Sequence, residues 1–141
     1  KFRSNYLDVE NSPLFPFGYG LSYTSFDYGD IKLSSNTMNA TGNIKATIAV
    51  TNSGGYDGEE VVQLYTRDMA GSIARPVKEL KDFQKIMLKK GERKEVSFTL
   101  NLEDLKFYNS NLVFAAEPGD FKLFIGSNSR DVKEAEFKLV K

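Results

Sequence analysis

Two pairs of adjacent carboxylates are the residues of this sequence that come nearest to catalytic chemistry. Glu59 and Glu60 form one pair, and Glu103 and Asp104 form the other. Two carboxylates can act as general acid and general base when both face one substrate. Neighbouring side chains on a strand point to opposite faces of the sheet, so Glu59 and Glu60 cannot converge there without a bulge. We interpret both pairs as solvated charges, the second in the acidic first turn of a short helix.

Other reaction types lack their usual residues. The 141 residues include no His and no Cys, which removes the commonest general base, thiol nucleophiles and Cys-rich metal sites. Ser72 and Lys78 lie on a polar loop, and a Ser and a Lys on such a loop are only a weak signal of a catalytic Ser–Lys pair. Residues 57–59 offer too few ligands for a calcium loop. Gly18 and Gly20 do not join a strand to a helix, as a phosphate-binding loop does. The sequence therefore predicts no catalytic residue, no cofactor and no metal.

The charge balance excludes two further classes of partner. Lys and Arg total 19, and Asp and Glu also total 19, so the formal net charge is zero. Without a basic field we expect no binding to nucleic acid or to anionic lipid. No run of about 18 apolar residues suggests a membrane span. Because the sequence starts at Lys1 and not at Met, we interpret it as a fragment or a mature product, without a signal peptide of its own.

An aromatic stretch over residues 13–26, PLFPFGYGLSYTSF, is the most unusual part of the chain. Its prolines and glycines suit neither a helix nor a central strand. Burial of four large apolar side chains would stabilise it by roughly 1.5–3 kcal/mol each, while ordering the backbone costs about 1–2 kcal/mol per residue. The free energy gained by burial and the cost of ordering the backbone nearly cancel. We call this stretch the aromatic arm, and we expect it to require a docking surface. We expect much of that surface to lie outside this chain.

The rest of the chain shows the alternation of β-strands. We predict strands over residues 28–33, 43–52, 60–67, 80–88, 93–100, 121–126 and 132–140, a hairpin over 107–116 and one helical turn at 101–105. Residues 60–67 are apolar on both faces, which predicts cover on both sides. Broken alternation predicts a bulge near residues 82–83. Four aromatic residues fit inward-facing positions: Phe83, Phe98, Phe121 and Phe137.

These strands predict an all-β fold. About seven or eight short strands with regularly spaced turns are typical of an antiparallel β-sandwich of the immunoglobulin or fibronectin type III kind. We predict two parts: residues 1–26 as linker and aromatic arm, and residues 27–141 as the sandwich.

Four separated segments carry a family resemblance. They are PLFPFGYGLSYTSF, GEEVVQLYTRD, SIARPVKELKDFQKIMLKKGE and LKFYNSNLVFAAEPGDFKLFIGSNS. Together they resemble the C-terminal fibronectin type III-like domain of glycoside hydrolase family 3 enzymes, and most of all bacterial periplasmic β-glucosidases. The resemblance covers about residues 13–139. One departure is Tyr108, where related sequences often carry Trp.

The resemblance implies a role without catalysis. In such enzymes a (β/α)₈ barrel supplies a nucleophilic Asp, an α/β sandwich often supplies the acid/base Glu, and the fibronectin-like domain comes last. Neither carboxylate maps onto this chain. The partners implied are the barrel and the α/β sandwich of the same polypeptide, and the location implied is periplasmic or extracellular. The parent would hydrolyse β-glucosides with retention of configuration and without a cofactor.

We expect a set of interdomain contacts from the arm and from the polar loop over residues 68–78. The arm supplies five of the residues and the loop one: Leu14, Phe15, Phe17, Tyr19, Tyr23 and Arg75. Exposed arm aromatics would also promote self-association of the isolated chain. The alternative is a carbohydrate-binding module, which an exposed row of tyrosines on one sheet face would favour.

Overall fold

The computed structural model describes residues 23–69 and 78–141. Six strands of eight or more residues and five of two or three residues occur there, with one short helix. In chain order the elements are β1 (Phe26–Tyr28), β2 (Lys32–Leu33), β3 (Thr37–Met38), β4 (Asn43–Asn52), β5 (Gly58–Asp68), β6 (Glu79–Leu88), β7 (Arg93–Asn101), α1 (Leu102–Leu105), β8 (Phe107–Tyr108), β9 (Phe114–Ala115), β10 (Gly119–Gly126) and β11 (Val132–Leu139).

The strands form two sheets that face each other, and a small hairpin. In the first sheet β4 pairs with β7 along one edge and with β1 and β2 along the other. The second sheet has the order β3-β11-β10-β5-β6, with β6 at one edge and only the β3–β11 pair parallel. β8 and β9 pair with each other. The all-β sandwich expected from the sequence is confirmed.

The core lies between the two sheets. β4 contributes alternate residues from Ile44 to Val50, and β5 contributes Val62 and Leu64, all at most 1% exposed. Phe121 and Phe137 stack with ring centroids 5.4 Å apart on the paired strands β10 and β11. The inward positions predicted for these two residues and for Phe98 are confirmed.

The strand predicted over residues 28–33 is wrong in detail. The structure has two shorter strands there, β1 and β2, and both pair with β4. Tyr28 pairs with Val50 and Lys32 with Thr47, so four steps along one chain match three along the other. The extra residue interrupts the ladder as a bulge does. Alternation in the sequence cannot locate such a slip, because both segments keep apolar residues facing the core.

The bulge predicted in β6 is present, one residue earlier than expected. Leu64 pairs with Asp82 and Tyr65 with Leu80, which leaves Lys81 as the extra residue. The inward position predicted for Phe83 is wrong, because Phe83 pairs with Gln63 on the outer face and is 61% exposed.

The predicted helical turn is confirmed at α1. The Asn101 side chain accepts from the Glu103 N–H at 2.9 Å, and the Asp104 carboxylate accepts from the Asn101 N–H at 2.8 Å. These two bonds form a capping box, which satisfies donors that the first helical turn leaves unpaired. Glu103 and Asp104 therefore begin a helix, as interpreted from the sequence.

Candidate interdomain interface

One of the six expected contact residues lies in the described part of the chain. Tyr23 precedes β1 and is 98% exposed, so its ring is available to a partner surface. The other five lie outside the described residues: Leu14, Phe15, Phe17, Tyr19 and Arg75. The interdomain role of all six stays a prediction.

Directly after Tyr23 the chain is bound to the sandwich by the side chain of Asn52. The Asn52 Oδ1 accepts from the Thr24 hydroxyl at 2.8 Å and from the Gly54 N–H at 3.1 Å. Its Nδ2 donates to the Tyr56 carbonyl at 2.7 Å and to the Leu88 carbonyl at 3.1 Å. Asn52 is fully buried. Both acceptor sites and both donors of the amide are thus occupied, which makes this residue costly to replace.

Two glycines allow the chain to approach this closely. A Cβ at Gly54 would lie 2.0 Å from the Thr24 Oγ1 and 2.5 Å from the Ser25 nitrogen. A Cβ at Gly58 would lie 2.6 Å from the Thr24 Cγ2. The Ser25 carbonyl also accepts from the N–H groups of Ser53 and Gly54. We call Thr24, Asn52, Gly54 and Gly58 the junction clamp; it fixes the point at which the aromatic arm meets the sandwich.

The carboxylate pair Glu59 and Glu60 divides between the two faces of β5. Glu59 is exposed and pairs with Lys85 at 3.0 Å, which agrees with its interpretation as a surface charge. The same interpretation of Glu60 is wrong, because this residue is half-buried near Tyr28. Burial raises the pKa of the Glu60 carboxyl, and the Val61 N–H, which donates to it at 2.9 Å, opposes the rise. Burial and the Glu60 charge both raise the pKa of the Tyr28 hydroxyl.

The described residues do not assemble a catalytic or metal-binding group. Over residues 23–69 and 78–141, no three Asp or Glu side chains come together as a ligand set. Glu59 and Glu60 point away from each other, as adjacent strand residues do. Of the Ser–Lys pair, Lys78 donates to the Ser129 carbonyl at 2.6 Å, and Ser72 lies outside the described residues. Among the described residues, Glu59 is engaged in an ion pair and Lys78 in a hydrogen bond.

Comparison with known proteins decides the family. Residues 60–129 match the sequence profile of the family described as "Fibronectin type III-like domain". A periplasmic beta-glucosidase of Salmonella typhimurium is 51% identical over 140 residues, which are 99% of this chain and 18% of that protein. Beta-glucosidase BoGH3A of Bacteroides ovatus is 48% identical over 122 residues, or 86% of this chain and 16% of that protein. The chain belongs to the fibronectin type III-like domains of glycoside hydrolase family 3.

The fold of the domain agrees with solved structures of such proteins. The crystal structure of beta-glucosidase from Listeria innocua in complex with gluconolactone superposes with a TM-score of 0.89 and 39% identity. It covers all of this chain, which spans 19% of the Listeria chain. The resemblance found in the four sequence segments is confirmed. The chain spans 18% of the Salmonella protein, 16% of the Bacteroides protein and 19% of the Listeria chain, less than a fifth of each.

The outer face of β5 is also buried around Tyr65. Tyr65 is 1% exposed and donates its hydroxyl to the Gln63 side chain, whose Nε2 donates to the Ser127 carbonyl at 2.9 Å. The Lys78 ammonium lies 4.6 Å from the centroid of the buried Phe124 ring. Burial lowers the pKa of Lys78. The prediction that β5 is covered on both faces is confirmed along this half of the strand.

The junction clamp was missed from the sequence, although one signal was present. Alternate residues of β4 from Ile44 to Val50 face the core, and the same alternation places Asn52 inward. A polar residue at an inward position predicts a buried hydrogen-bonding group. The close approach of Thr24 to Gly54 and Gly58 left no such signal, because glycines in a turn cluster are also explained by the turn.

No helix among the described residues has the length and apolar character needed to cross a bilayer.

Proposed function

We infer that this chain is a non-catalytic accessory domain that packs against the catalytic domains of a β-glucosidase and stabilises them. The proposal rests on the similarity of this chain to one segment of β-glucosidases from several organisms. That segment makes up less than a fifth of the length of each protein. The described residues add support, since they hold no convergent carboxylates. The partners would be the barrel and the α/β sandwich of the same polypeptide.

The proposed parent enzyme hydrolyses the O-glycosidic bond of β-glucosides with retention of configuration. Retention uses one carboxylate as nucleophile and a second as acid and then base. Both would lie outside these 141 residues. The name of the Salmonella relative supports a periplasmic or extracellular location, which fractionation of the native host would test.

Hydrolysis and stability assays test whether catalysis lies outside this chain and whether the chain stabilises the enzyme. We expect the purified chain to leave an aryl β-glucoside intact and the full-length protein to cleave it. Removal of residues 1–141 from the full-length protein should lower its unfolding temperature. Cleavage by the purified chain alone, or a truncated enzyme as stable as the intact one, would refute the proposal.

Within this proposal residues 1–26 are the connecting linker and aromatic arm, and residues 27–141 are the sandwich. Phe26 is the first residue of β1, so the division falls directly after the first residue of that strand. We expect the double variant Phe15→Ala/Phe17→Ala to destabilise the full-length enzyme, because it removes two apolar anchors from the arm. A melting temperature and activity equal to wild type would show that the arm does not hold this domain against the catalytic domains.

The loop at Arg75 has its own test. Deletion of residues 71–74 in the full-length enzyme should change its kinetics or its stability if the loop contacts the catalytic domains. Unchanged values for both would remove Arg75 from the interface.

A carbohydrate-binding module is the second candidate, supported by the exposed ring pair at the β8–β9 hairpin. The Tyr108 and Phe114 centroids lie 5.0 Å apart, and both rings are at least half exposed. The exposed tyrosines of residues 23–69 and 78–141 do not share one sheet face: Tyr23 precedes β1, Tyr56 lies in a turn and Tyr108 lies in the hairpin. Retention on an insoluble glucan, lost in Tyr108→Ala, would favour this candidate.

A further inference from the structure

The outer face of the edge strand β6 presents a row of large apolar side chains. Phe83 is 61% exposed and Met87 is 50% exposed. Leu80 of the same strand and Val61 of the neighbouring strand β5 are also exposed. A solvent-facing edge strand normally carries charged or polar residues on such a face. We call these four residues the apolar row. Exposed apolar residues that lie together mark an interaction surface, whereas single ones do not.

Strand pairing makes the row continuous. Val61 pairs with Lys85, which lies between Phe83 and Met87 along β6. Val61 is therefore the diagonal neighbour of both, and diagonal neighbours in a sheet lie within reach of aromatic and long side chains. Leu80 pairs with Tyr65, so the bulge at Lys81 returns Leu80 to the outer face and extends the row.

One ion pair lies beside the middle of the row. Lys85 is the cross-strand partner of Val61 and Glu59 that of Met87, and the charged groups of Lys85 and Glu59 are 3.0 Å apart. This pair joins one cation to one anion and so adds no net charge next to Phe83 and Met87. A partner that matches this part of the face is apolar and uncharged at the contact.

Two backbone groups of β6 are already hydrogen-bonded to side chains of this chain. The Phe83 N–H donates to the Asp82 carboxylate at 2.7 Å, and the Met87 carbonyl accepts from the Lys94 ammonium at 2.7 Å. Backbone groups that already have such partners are poor templates for the addition of another strand. The row therefore offers side chains to a packed surface and not its edge to a strand.

The row starts beside the place where the arm joins the sandwich. Thr24 packs against Gly58, and Gly58 pairs with Leu88, the residue after Met87. The β8–β9 hairpin, by contrast, follows Asn101, which pairs with Asn43 at the other end of β4 from Asn52. More than four fifths of the related proteins' length lies outside this chain.

We propose that the apolar row docks on an apolar surface of another domain of the same polypeptide. The inference rests on the proposed accessory function and names the face that would carry it. The arm would tether that domain at the junction clamp, and the row would pack against it from Met87 towards Leu80.

Site-specific photo-crosslinking in the full-length enzyme tests the contact. A photoreactive benzoylphenylalanine at position 83 should cross-link to residues of the same polypeptide outside residues 1–141, identified by mass spectrometry of the digested product. A cross-link to residues 1–141, a cross-link between two copies of the enzyme, or no cross-link would overturn the proposal.

Paired variants give a second test that separates docking from folding. Phe83→Ser/Met87→Ser should lower the unfolding temperature of the full-length enzyme by several degrees and leave that of the 141-residue chain nearly unchanged. Met69→Ser is the matched control, since Met69 is 45% exposed and lies outside the row; it should leave both unchanged. Equal effects on the two proteins would overturn the proposal.

Truncation distinguishes this proposal from the one on which it rests. If removal of residues 1–141 leaves the stability of the enzyme unchanged, the accessory function is wrong. If removal destabilises the enzyme but Phe83→Ser/Met87→Ser does not, only the assignment of the apolar row is wrong.

Discussion

Asn52 holds the segment directly before β1 against the sandwich. Its side chain joins the segment before β1, the turn after β4 and the end of β6 through four hydrogen bonds. Loss of one partner in a buried network leaves the others unsatisfied, and each unsatisfied group costs about 1–3 kcal/mol. A single residue at the end of a core-facing alternation thus couples three separate segments.

Asn52→Ala should destabilise the chain by roughly 2–4 kcal/mol, because several buried groups lose their partner. Urea unfolding of the 141-residue chain measures the effect. Asn111→Ala is the control, since Asn111 is an exposed turn residue and its substitution should change stability by less than about 0.5 kcal/mol. Equal effects of the two substitutions would contradict the role of Asn52.

Gly54 and Gly55 form a matched pair of neighbouring glycines. Gly54→Ala forces a Cβ onto Thr24 and Ser25, while a Cβ at Gly55 meets nothing within 4 Å. We expect Gly54→Ala to destabilise the chain by about 1–3 kcal/mol, as overpacking does. Gly55→Ala should be neutral or slightly stabilising. If both variants have the same urea midpoint, the junction clamp does not require a close approach at Gly54.

Glu60 links stability to pH. Because burial raises its pKa in the folded state, the native protein holds this proton at pH values where the unfolded chain has released it. Stability from this group therefore falls as the pH rises above the ordinary carboxyl pKa of about 4.5, until the folded pKa is passed. Glu60→Gln should raise the urea midpoint at pH 7 and lose that advantage near pH 4.

The control for the Glu60 prediction is its neighbour. Glu59→Gln should have little effect on the midpoint at either pH, because Glu59 is exposed and its ion pair with Lys85 lies on the surface. A Glu60→Gln advantage that persists unchanged at pH 4 would show that the effect does not come from the carboxyl charge.

At the scale of the elements, the β8–β9 hairpin combines a hydrogen-bonded turn with backbone strain. The Asn109 side chain accepts from the N–H groups of Asn111 and Val113, and Leu112 has a φ of 58°. A side chain with a Cβ is disfavoured in this left-handed region, whereas glycine is not. Leu112 is 83% exposed and so gains little from burial.

Leu112→Gly should therefore leave the stability of the 141-residue chain unchanged or raise it by up to about 1 kcal/mol. Leu112→Ala keeps the Cβ and should give no such gain, which makes it the control. Thermal unfolding of the two variants measures the difference. A Leu112→Gly variant less stable than Leu112→Ala would contradict the assignment of strain to this residue.

The elements also show what the sequence could and could not specify. Strands β4, β7, β10 and β11 and the cap of α1 follow from alternation and capping residues, which act locally. The break between β1 and β2 and the outward position of Phe83 do not, because both depend on register with a neighbouring strand. Register is a property of two strands, and one strand's pattern leaves it open when both faces carry apolar residues.

The candidate site divides in the same way. The aromatic content of the arm was evident from composition, and Tyr23 is indeed exposed. The apolar row could not be predicted from the sequence. An aromatic residue such as Phe83 in an apolar strand is expected in the core, and only its pairing with Gln63 shows that it lies on the outer face. The clamp residues come from segments 28 or more positions apart, and no local pattern predicts such a contact.

At the scale of the whole molecule, we propose that the other domains of the polypeptide bind and stabilise this fibronectin type III-like domain. A docked domain is stabilised by its partner, because binding to the folded state alone shifts unfolding to higher temperature. A domain that is only tethered unfolds as it does alone. The arm, the junction clamp and the apolar row all contribute to the same expected coupling.

Differential scanning calorimetry of the full-length enzyme, compared with the isolated 141-residue chain, tests this coupling most directly. We predict that the domain unfolds at a higher temperature in the intact enzyme than alone, within one transition shared with the catalytic domains. A separate transition in the intact enzyme, at the same temperature and with the same enthalpy as the isolated chain, would contradict the account.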